Sequence, residues 1–290
     1  MRVVLADGGQ WPRTPASEVR QIINLCKQLN MIAVLEVHDA TGRESVADLR
    51  RAVDYWIDIR NELIGQEAYV IINIANEWFG PWNRNAEWRD GYVAQIPRLR
   101  AAGLNHTLMI DCAGWGQHPE GIWQHGAAII NADPQRNIMF SIHMYEYAGA
   151  NVSTVRSNID RALAVGAPLV IGEFGHQHGS SVGQSTPVAF QEIMSYSQTH
   201  GVGYLGWSWK GNGSPVQYLD IVAEWDGRNP SAGWGVPLLA HIRQTSRPAS
   251  VYPTMTPRAA PFESEPFMPA APPIVLGVLA LLPFKKRICR

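Results

Sequence analysis

Several absences narrow the class of protein before any motif is considered. Cysteine is scarce: the chain has three, Cys26, Cys112 and Cys289. They are widely spaced and form no CxxC pair, so the sequence shows neither a zinc-binding pattern nor a disulfide framework. An excess of one charge is missing too, because the formal net charge of the 290 residues is −1. A nucleic-acid-binding protein would show a basic excess or patch. We therefore expect no nucleic-acid partner.

A long hydrophobic run is also missing. Residues 274–284 form an apolar segment of eleven residues, which is short of the roughly 20 that a membrane-spanning helix needs. Three basic residues follow it, and residues 251–273 before it hold seven of the chain's 20 prolines, which predicts an extended linker. The layout of linker, apolar run and basic end is typical of a C-terminal anchor, which would give a weak membrane or cell-surface association. A poorly ordered tail is the equal alternative.

What is present divides the chain into three parts: a globular region at 1–247, a Pro-rich linker at 248–273, and a short apolar segment with a basic end at 274–290. In the first part, short β-branched apolar runs alternate with amphipathic helical stretches, which predicts βαβ units around a parallel sheet. Seven predicted strands cover residues 2–5, 32–37, 70–74, 107–110, 138–142, 169–171 and 204–207. Helical patterns between them include residues 16–29, 48–63, 93–102, 155–165 and 188–199.

Seven strands are one short of the eight in a (β/α)8 barrel. An open doubly wound sheet is the other architecture of this class, and its first strand is usually followed by a glycine-rich phosphate loop. Residues 7–10 read Asp-Gly-Gly-Gln, which is not such a loop. We therefore predict an α/β fold, a (β/α)8 TIM barrel that lacks its first βα unit.

Two carboxylates stand where the active site of such a barrel lies, at the carboxyl ends of strands. Glu77 and Glu173 each follow an apolar run, and they are 96 residues apart, which is about three βα units. Three strands apart around an eight-stranded ring places them on facing sides of the mouth. Glycoside hydrolysis requires two facing carboxylates, because one protonates the leaving oxygen while the other attacks the anomeric carbon or activates water.

The two carboxylates need different surroundings for these roles. Arg2 opens the first predicted strand and Tyr145 follows the fifth, and both can donate to Glu173 and keep it ionised. Glu77 must be protonated, so we expect burial or nearby negative charge to raise its pKa.

Other strand ends carry groups suited to binding a sugar. Asn76 can donate to a hydroxyl such as the 2-hydroxyl, and Trp207 offers a flat face to a sugar ring. His38 and His143 are expected to hydrogen-bond sugar hydroxyls. Further aromatic candidates, for which core packing is an equal alternative, are Trp78, Trp82, Trp115 and Trp209.

Histidine spacing raises the question of a metal. His176 and His178 form an HxH pair, the ligand pattern of metal-dependent barrel hydrolases, but the pair follows Gly175 in a loop rather than lying inside a strand. We therefore expect no metal and no other cofactor.

The longest motifs resemble one known family. The stretches VVLADGGQW, AVLEVHDATGRES, VIINIANEWFG, HTLMIDCAGWGQ, NADPQRNIMFSIHMYEYAG, VIGEFGHQH and YLGWSWKGNG are similar to bacterial endo-β-1,4-mannanases of glycoside hydrolase family 5. The resemblance runs from residue 2 to about residue 245, with the motifs in order and correctly spaced. The family's first βα unit and export signal have no counterpart here.

The resemblance implies a retaining endo-hydrolase of β-1,4-linked mannan, glucomannan or galactomannan that needs no metal. Glu77 matches the acid/base and Glu173 the nucleophile. The residues that match the family's surroundings of the −1 sugar are Arg2, His38, Asn76, His143, Tyr145 and Trp207. Relatives are generally secreted, so an extracellular or cell-surface monomer is expected. An endo-β-1,4-glucanase on the same fold stays open, as does a catalytically impaired, truncated carbohydrate-binding protein.

Overall fold

The computed structural model describes residues 1–179 and 185–245. The predicted linker at 248–273 and the apolar segment at 274–290 lie outside the described residues. Within the described ranges, no helix combines the length and apolar character needed to cross a membrane.

Seven parallel strands form the main sheet, and their spatial order is their order along the chain. They are β1 (Arg2–Leu5), β2 (Ala33–Val37), β3 (Val70–Asn73), β4 (Thr107–Asp111), β5 (Ile138–Met144), β6 (Leu169–Phe174) and β9 (Gly203–Gly206). All seven overlap the predicted strands. Two further short strands, which the sequence does not predict, form a separate antiparallel pair: β7 (Gln177–His178) and β8 (Thr186–Pro187).

Helices connect the strands, as βαβ units require. Those described are α1 (Ala16–Gln28), α2 (Val46–Asp58), α3 (Arg60–Leu63), α4 (Asn85–Ala101), α5 (Glu120–Ala132), α6 (Val152–Leu163), α7 (Phe190–His200) and α8 (Gly235–Thr245). The predicted helix at 48–63 is two helices, because the chain breaks at Ile59. Helix α4 begins eight residues before the predicted start, since residues 85–92 are mostly polar and show no apolar periodicity.

The main sheet curls so that the carboxyl ends of distant strands meet. Arg2 in β1 reaches Glu173 in β6 with an Nη1–Oε1 distance of 2.5 Å. The ring of Trp207, which directly follows β9, stacks on His38 after β2 at a centroid distance of 5.7 Å. Among the described residues, β1 and β9 are each paired on one side only. The seven strands therefore form an open, barrel-like sheet.

Two apolar clusters hold this sheet. The larger one lies between the sheet and the helices, and its bulkiest fully buried members include Trp56, Trp88 and Trp234. The smaller cluster lies inside the curl and consists of Ile32, Val34, Met109, Val170 and Leu205. Because side chains alternate along a strand, Val34 shares its face with Glu36, and Met109 shares its face with Asp111. The polar site thus rests on an apolar floor.

Candidate active site

Inward-facing polar side chains gather at the carboxyl ends of five neighbouring strands. Each is at least nine-tenths buried, so each must find a partner inside the protein. They are Glu36 in β2, Asn73 in β3, Asp111 in β4, His143 in β5 and Glu173 in β6.

Glu173 is held by one donor on each carboxylate oxygen. Arg2 donates to Oε1 at 2.5 Å, and the Tyr145 hydroxyl donates to Oε2 at 2.8 Å. Burial alone would raise the pKa of Glu173, but the charges of His143 and Arg2 outweigh burial and lower it. Glu173 is therefore ionised at neutral pH.

Glu77 is held from its backbone and from its side chain. Its φ of 47° lies in the left-handed region, which costs a non-glycine residue about 1 kcal/mol or more. Its backbone N–H donates to Oδ2 of Asp111 at 2.9 Å, and its Oε1 lies 2.7 Å from Nδ1 of His143. Burial raises its pKa, and the nearby charge of Glu173 adds to this against the opposing effect of His143.

The two carboxylates face each other across a short gap. A carboxylate oxygen of Glu77 lies within 4.8 Å of one of Glu173. Retaining glycosidases place their two carboxyl groups about 5–5.5 Å apart, whereas inverting enzymes need about 6.5–9.5 Å to fit a water. The opposite pKa shifts favour the protonated form of Glu77 and the ionised form of Glu173, which suits an acid and a nucleophile.

Arg2 is the common partner of the buried carboxylates. Besides Glu173, its guanidinium lies 3.7 Å from Glu36 and 3.9 Å from Asp111, and it donates to Oδ1 of Asn73 at 3.1 Å. Burial would lower the pKa of Arg2, but these carboxylates outweigh burial and raise it.

Glu36, Asn73 and Asp111 were not assigned to the site from the sequence. The signal that could have found them is a polar residue at an inward position of an otherwise apolar strand.

Asn76 links Arg2 to the loop after β2. Its Oδ1 accepts from Nη2 of Arg2 at 2.5 Å, and its Nδ2 donates to Oγ1 of Thr41 at 2.8 Å. The side chain is buried. The hydrogen bonds to Arg2 and Thr41 give Asn76 a role in positioning Arg2. Its hydrogen bond to a sugar hydroxyl stays a prediction.

The solvent-facing rim of the pocket is aromatic. His38 is partly exposed, and its Nδ1 lies 3.0 Å from Oε1 of Glu36. Burial would lower the pKa of His38, but Glu36 outweighs burial and raises it. Trp207 stacks on one side of this imidazole, and the ring of Trp11 lies 5.6 Å away. Trp11 was missed, although it ends a motif that the resemblance covers.

Two of the predicted sugar-binding residues do not face the pocket. Trp78 is fully buried, because the turn after Glu77 sends its ring into the core against Tyr92, and its Nε1 donates to the carbonyl of Ser45. That it binds sugar stays a prediction, and core packing is the alternative that these contacts favour.

His143 is also fully buried, with Nδ1 on Glu77 and Nε2 3.4 Å from Asp111. Both nitrogens face carboxylates, and a hydrogen bond from His143 to a sugar hydroxyl stays a prediction. Burial would lower its pKa, but Glu173 and Asp111 raise it to about 10. His143 is a cationic positioning residue between the two catalytic candidates.

The structure does not bring the HxH pair together as metal ligands. His176 stacks on Trp234 at 6.0 Å, and Nδ1 of His178 lies 2.5 Å from Oε2 of Glu146. The group that could hold an ion among the described residues is Glu77, His143 and Glu173. Its 2.7 Å contact between Nδ1 and Oε1 is a direct hydrogen bond. That spacing leaves no room for an ion at about 2.0–2.2 Å from both atoms in tetrahedral geometry.

Comparisons with known proteins agree with this site. The model of the family described as cellulase (glycosyl hydrolase family 5) matches residues 3–213. A mannan endo-1,4-beta-mannosidase from Salipaludibacillus agaradhaerens is 52% identical over 87% of this chain and 80% of its own length. A beta-mannanase/endoglucanase A from Caldicellulosiruptor saccharolyticus is 42% identical over 81% of this chain, but this match spans only 17% of that relative.

Among solved structures, a mannohexaose complex of the β-mannanase from Thermomonospora fusca superposes with a TM-score of 0.77. It is 40% identical and covers 86% of this chain and 82% of its own. The extent of the family match, together with the paired carboxylates, assigns this chain to glycosyl hydrolase family 5.

Proposed function

We propose that this protein is an endo-β-1,4-mannanase that cleaves with retention of configuration, with Glu173 as nucleophile and Glu77 as acid/base. The observation that carries the proposal is the pair of carboxylate oxygens within 4.8 Å of each other, with the pKa of one raised and of the other lowered.

The first half of the reaction uses this asymmetry. Ionised Glu173 attacks the anomeric carbon while Glu77 gives its proton to the leaving oxygen, and a covalent glycosyl-enzyme forms. Arg2 and Tyr145 hold the attacking carboxylate in place.

The second half follows from the loss of charge on Glu173. Once Glu173 is an ester, it no longer raises the pKa of Glu77, so Glu77 becomes a stronger acid and stays ionised. It then accepts a proton from the water that attacks the anomeric carbon, and Glu173 is released as a carboxylate.

Mannan is the proposed substrate because the relatives that are 52% and 40% identical over most of the chain are named mannanases. An endo-β-1,4-glucanase activity is the second candidate, and the relative with a double name supports it. A non-catalytic binding protein is less well supported, since Arg2, Tyr145 and both carboxylates are assembled at hydrogen-bonding distances.

Reducing-sugar release from soluble galactomannan, with carboxymethyl-cellulose alongside, tests the proposal. We expect release from mannan, and proton NMR of the first products should show the β-anomer. Release from cellulose alone would move the assignment to a glucanase. Binding to mannan without release of sugar would support the impaired protein.

The proposed mechanism needs no metal. Dialysis against EDTA should therefore leave the rate on galactomannan unchanged. A loss that added zinc or calcium restores would contradict the metal-free mechanism.

Three finer points belong to the same proposal. The open edges of β1 and β9 support a (β/α)8 barrel of which this chain holds seven βα units. A polymeric substrate supports action outside the cell or at its surface. A monomer is proposed beside this. Mannanase activity in culture medium rather than in cell lysate, and a monomeric mass by light scattering, would test the location and the oligomeric state.

A further inference from the structure

We propose that His178, held in place by Glu146, is a positioning residue that keeps the hydroxyl of Tyr145 on the nucleophile. The inference rests on the proposed function, which makes Glu173 the nucleophile, and it gives a role to one histidine of the HxH pair. His178 lies in β7 beyond β6, whereas Tyr145 and Glu146 directly follow β5. The pair of Glu146 and His178 therefore joins the chain segments that follow β5 and β6.

The imidazole of His178 packs on the ring of Tyr145. The two centroids are 4.6 Å apart, and the rings are tilted by 36°. Tyr145 is buried, and its hydroxyl donates to Oε2 of Glu173 at 2.8 Å. Gly175 borders the phenol with backbone alone, since a Cβ there would lie 3.6 Å from Cε1 of Tyr145. Because a phenol ring swings about χ1, the imidazole is placed to limit movement of the hydroxyl away from Glu173.

Glu146 fixes the orientation of this imidazole. Its Oε2 lies 2.5 Å from Nδ1 of His178, and both side chains are largely shielded from solvent. Burial would raise the pKa of Glu146, but the hydrogen bond with His178 outweighs burial and lowers it. Glu146 is therefore ionised at neutral pH. An ionised carboxylate accepts hydrogen bonds but cannot donate them, so Nδ1 of His178 is the donor and the plane of its ring is set.

The backbone that carries His178 is anchored on both sides. The carbonyl of His176 accepts the N–H of Val188 at 3.0 Å. The N–H of Gly179 donates to the hydroxyl of Tyr218 at 3.1 Å. A side chain whose backbone and ring are both fixed can hold the group that it packs against in one geometry.

The contact reaches the nucleophile through one of the groups that keep Glu173 ionised. Burial would raise the pKa of Glu173, and the groups that oppose burial are His143, Arg2, His38 and Tyr145. Glu77 faces the same carboxylate within 4.8 Å. Loss of His178 should weaken the hydrogen bond from Tyr145 while the charges around Glu173 stay in place. Glu173 would then be a weaker acid and less well placed for attack.

The test follows Glu173 in His178→Ala by two independent measurements. Carbon-13 NMR of the protein labelled at its glutamate carboxyl groups, with the signal assigned from Glu173→Gln, reports the titration of Glu173 without substrate. The pH profile of kcat/KM on dinitrophenyl β-mannobioside reports attack, because this leaving group departs without a proton from Glu77. We expect both the titration and the acidic limb to move to higher pH, and kcat/KM above the limb to fall about tenfold.

A double variant separates action through Tyr145 from a merely structural role. Tyr145→Phe removes the hydroxyl that His178 is proposed to hold. Adding His178→Ala to Tyr145→Phe should therefore change neither the titration of Glu173 nor kcat/KM any further. A loss of the same size in both backgrounds overturns the proposal.

Glu146→Ala tests the same pair from its other member. We expect a smaller effect in the same direction, and this variant carries the test if thermal melting shows that His178→Ala does not fold. His200→Ala, an exposed histidine on α7, should match the wild type. An unmoved titration of Glu173 in either member's variant overturns the proposal. A wild-type protein that cleaves no mannoside, while His178→Ala still shifts the titration, overturns the proposed function instead.

Discussion

At the scale of single residues, the nucleophile can be tested by chemical rescue. Glu173→Ala removes the attacking carboxylate, so turnover on mannan should fall by several orders of magnitude. Azide fits the space and attacks from the same face, so it should restore cleavage of an activated aryl mannobioside and yield the α-azide. Glu192→Ala, on the surface of α7, is the control. Absence of an azide adduct would argue against Glu173 as nucleophile.

The position of His143 between the carboxylates predicts a change in the pH profile. Its positive charge lowers the pKa of both Glu77 and Glu173. In His143→Gln both pKa values rise, so the acidic and the alkaline limbs of kcat/KM should both move to higher pH, by about one unit or more.

His200→Gln, on the surface of α7, should move neither limb. A profile of unchanged shape and reduced height in His143→Gln would mean that His143 acts only in packing.

The site residues at strand ends could be predicted from the sequence, whereas the buried partners of Arg2 inside the strands could not. Glu77, Glu173 and Tyr145 stand at the carboxyl ends of strands, where barrel chemistry occurs. Arg2 is the first residue of β1, and its long side chain reaches Glu173. The buried position of Trp78 could not be predicted, because adjacency to Glu77 in sequence says nothing about which side of a turn a side chain takes.

At the scale of elements, Gly172 shapes strand β6 beside the nucleophile. The pairing of β5 with β6 shifts register here, so that His143 lies opposite Glu173 and Gly172 is skipped. A Cβ at Gly172 would lie 2.2 Å from Oγ of Ser141 and 2.9 Å from Cε of Met109. Only glycine fits this bulge, which turns Glu173 into the pocket.

Gly172→Ala should therefore lower the free energy of unfolding by about 1–3 kcal/mol, and a thermal melt would measure the loss. Ser141→Ala removes the nearest clashing atom. Gly172→Ala should therefore cost less stability in the Ser141→Ala background than in the wild-type protein. Equal stability of Gly172→Ala and wild type would show that the bulge tolerates a side chain.

The ends of strands and helices could be predicted only where the apolar pattern continued to the last residue of the element. Strand β6 continues to Phe174, three residues beyond its predicted end, because Gly172 and Glu173 interrupt the apolar run although the backbone pairing continues. The short pair β7 and β8 has no periodicity at two residues per strand, so no pattern could indicate it.

At the scale of the whole molecule, the open edge of the sheet bears on the site. Strand β1 carries Arg2 and is paired only with β2 among the described residues, whereas β5 is paired on both sides. Edge elements open at lower free energy than central ones. In hydrogen–deuterium exchange, residues 2–5 should exchange much faster than residues 138–144.

The rate on mannan should then fall at lower denaturant concentration than the far-UV circular dichroism signal does. Coincident curves and equal protection of both strands would contradict this, and would mean that β1 opens only with the whole fold. The order of strands in the sheet could be predicted from the alternation of strands and helices. The sequence pattern does not indicate how far the sheet closes.

The shared guanidinium of Arg2 has a consequence for how such a protein diversifies. Because Arg2 serves three carboxylates and two amides at once, a substitution at any of them leaves buried charge uncompensated, and tolerated changes there would have to arise in combination. The rim ring of Trp11 contacts the site through its packing against His38 rather than through charge, so it can vary alone. New preferences for polymer length or branching are therefore expected to arise by single substitutions at the aromatic rim, while the charged network around Arg2 stays unchanged among descendants.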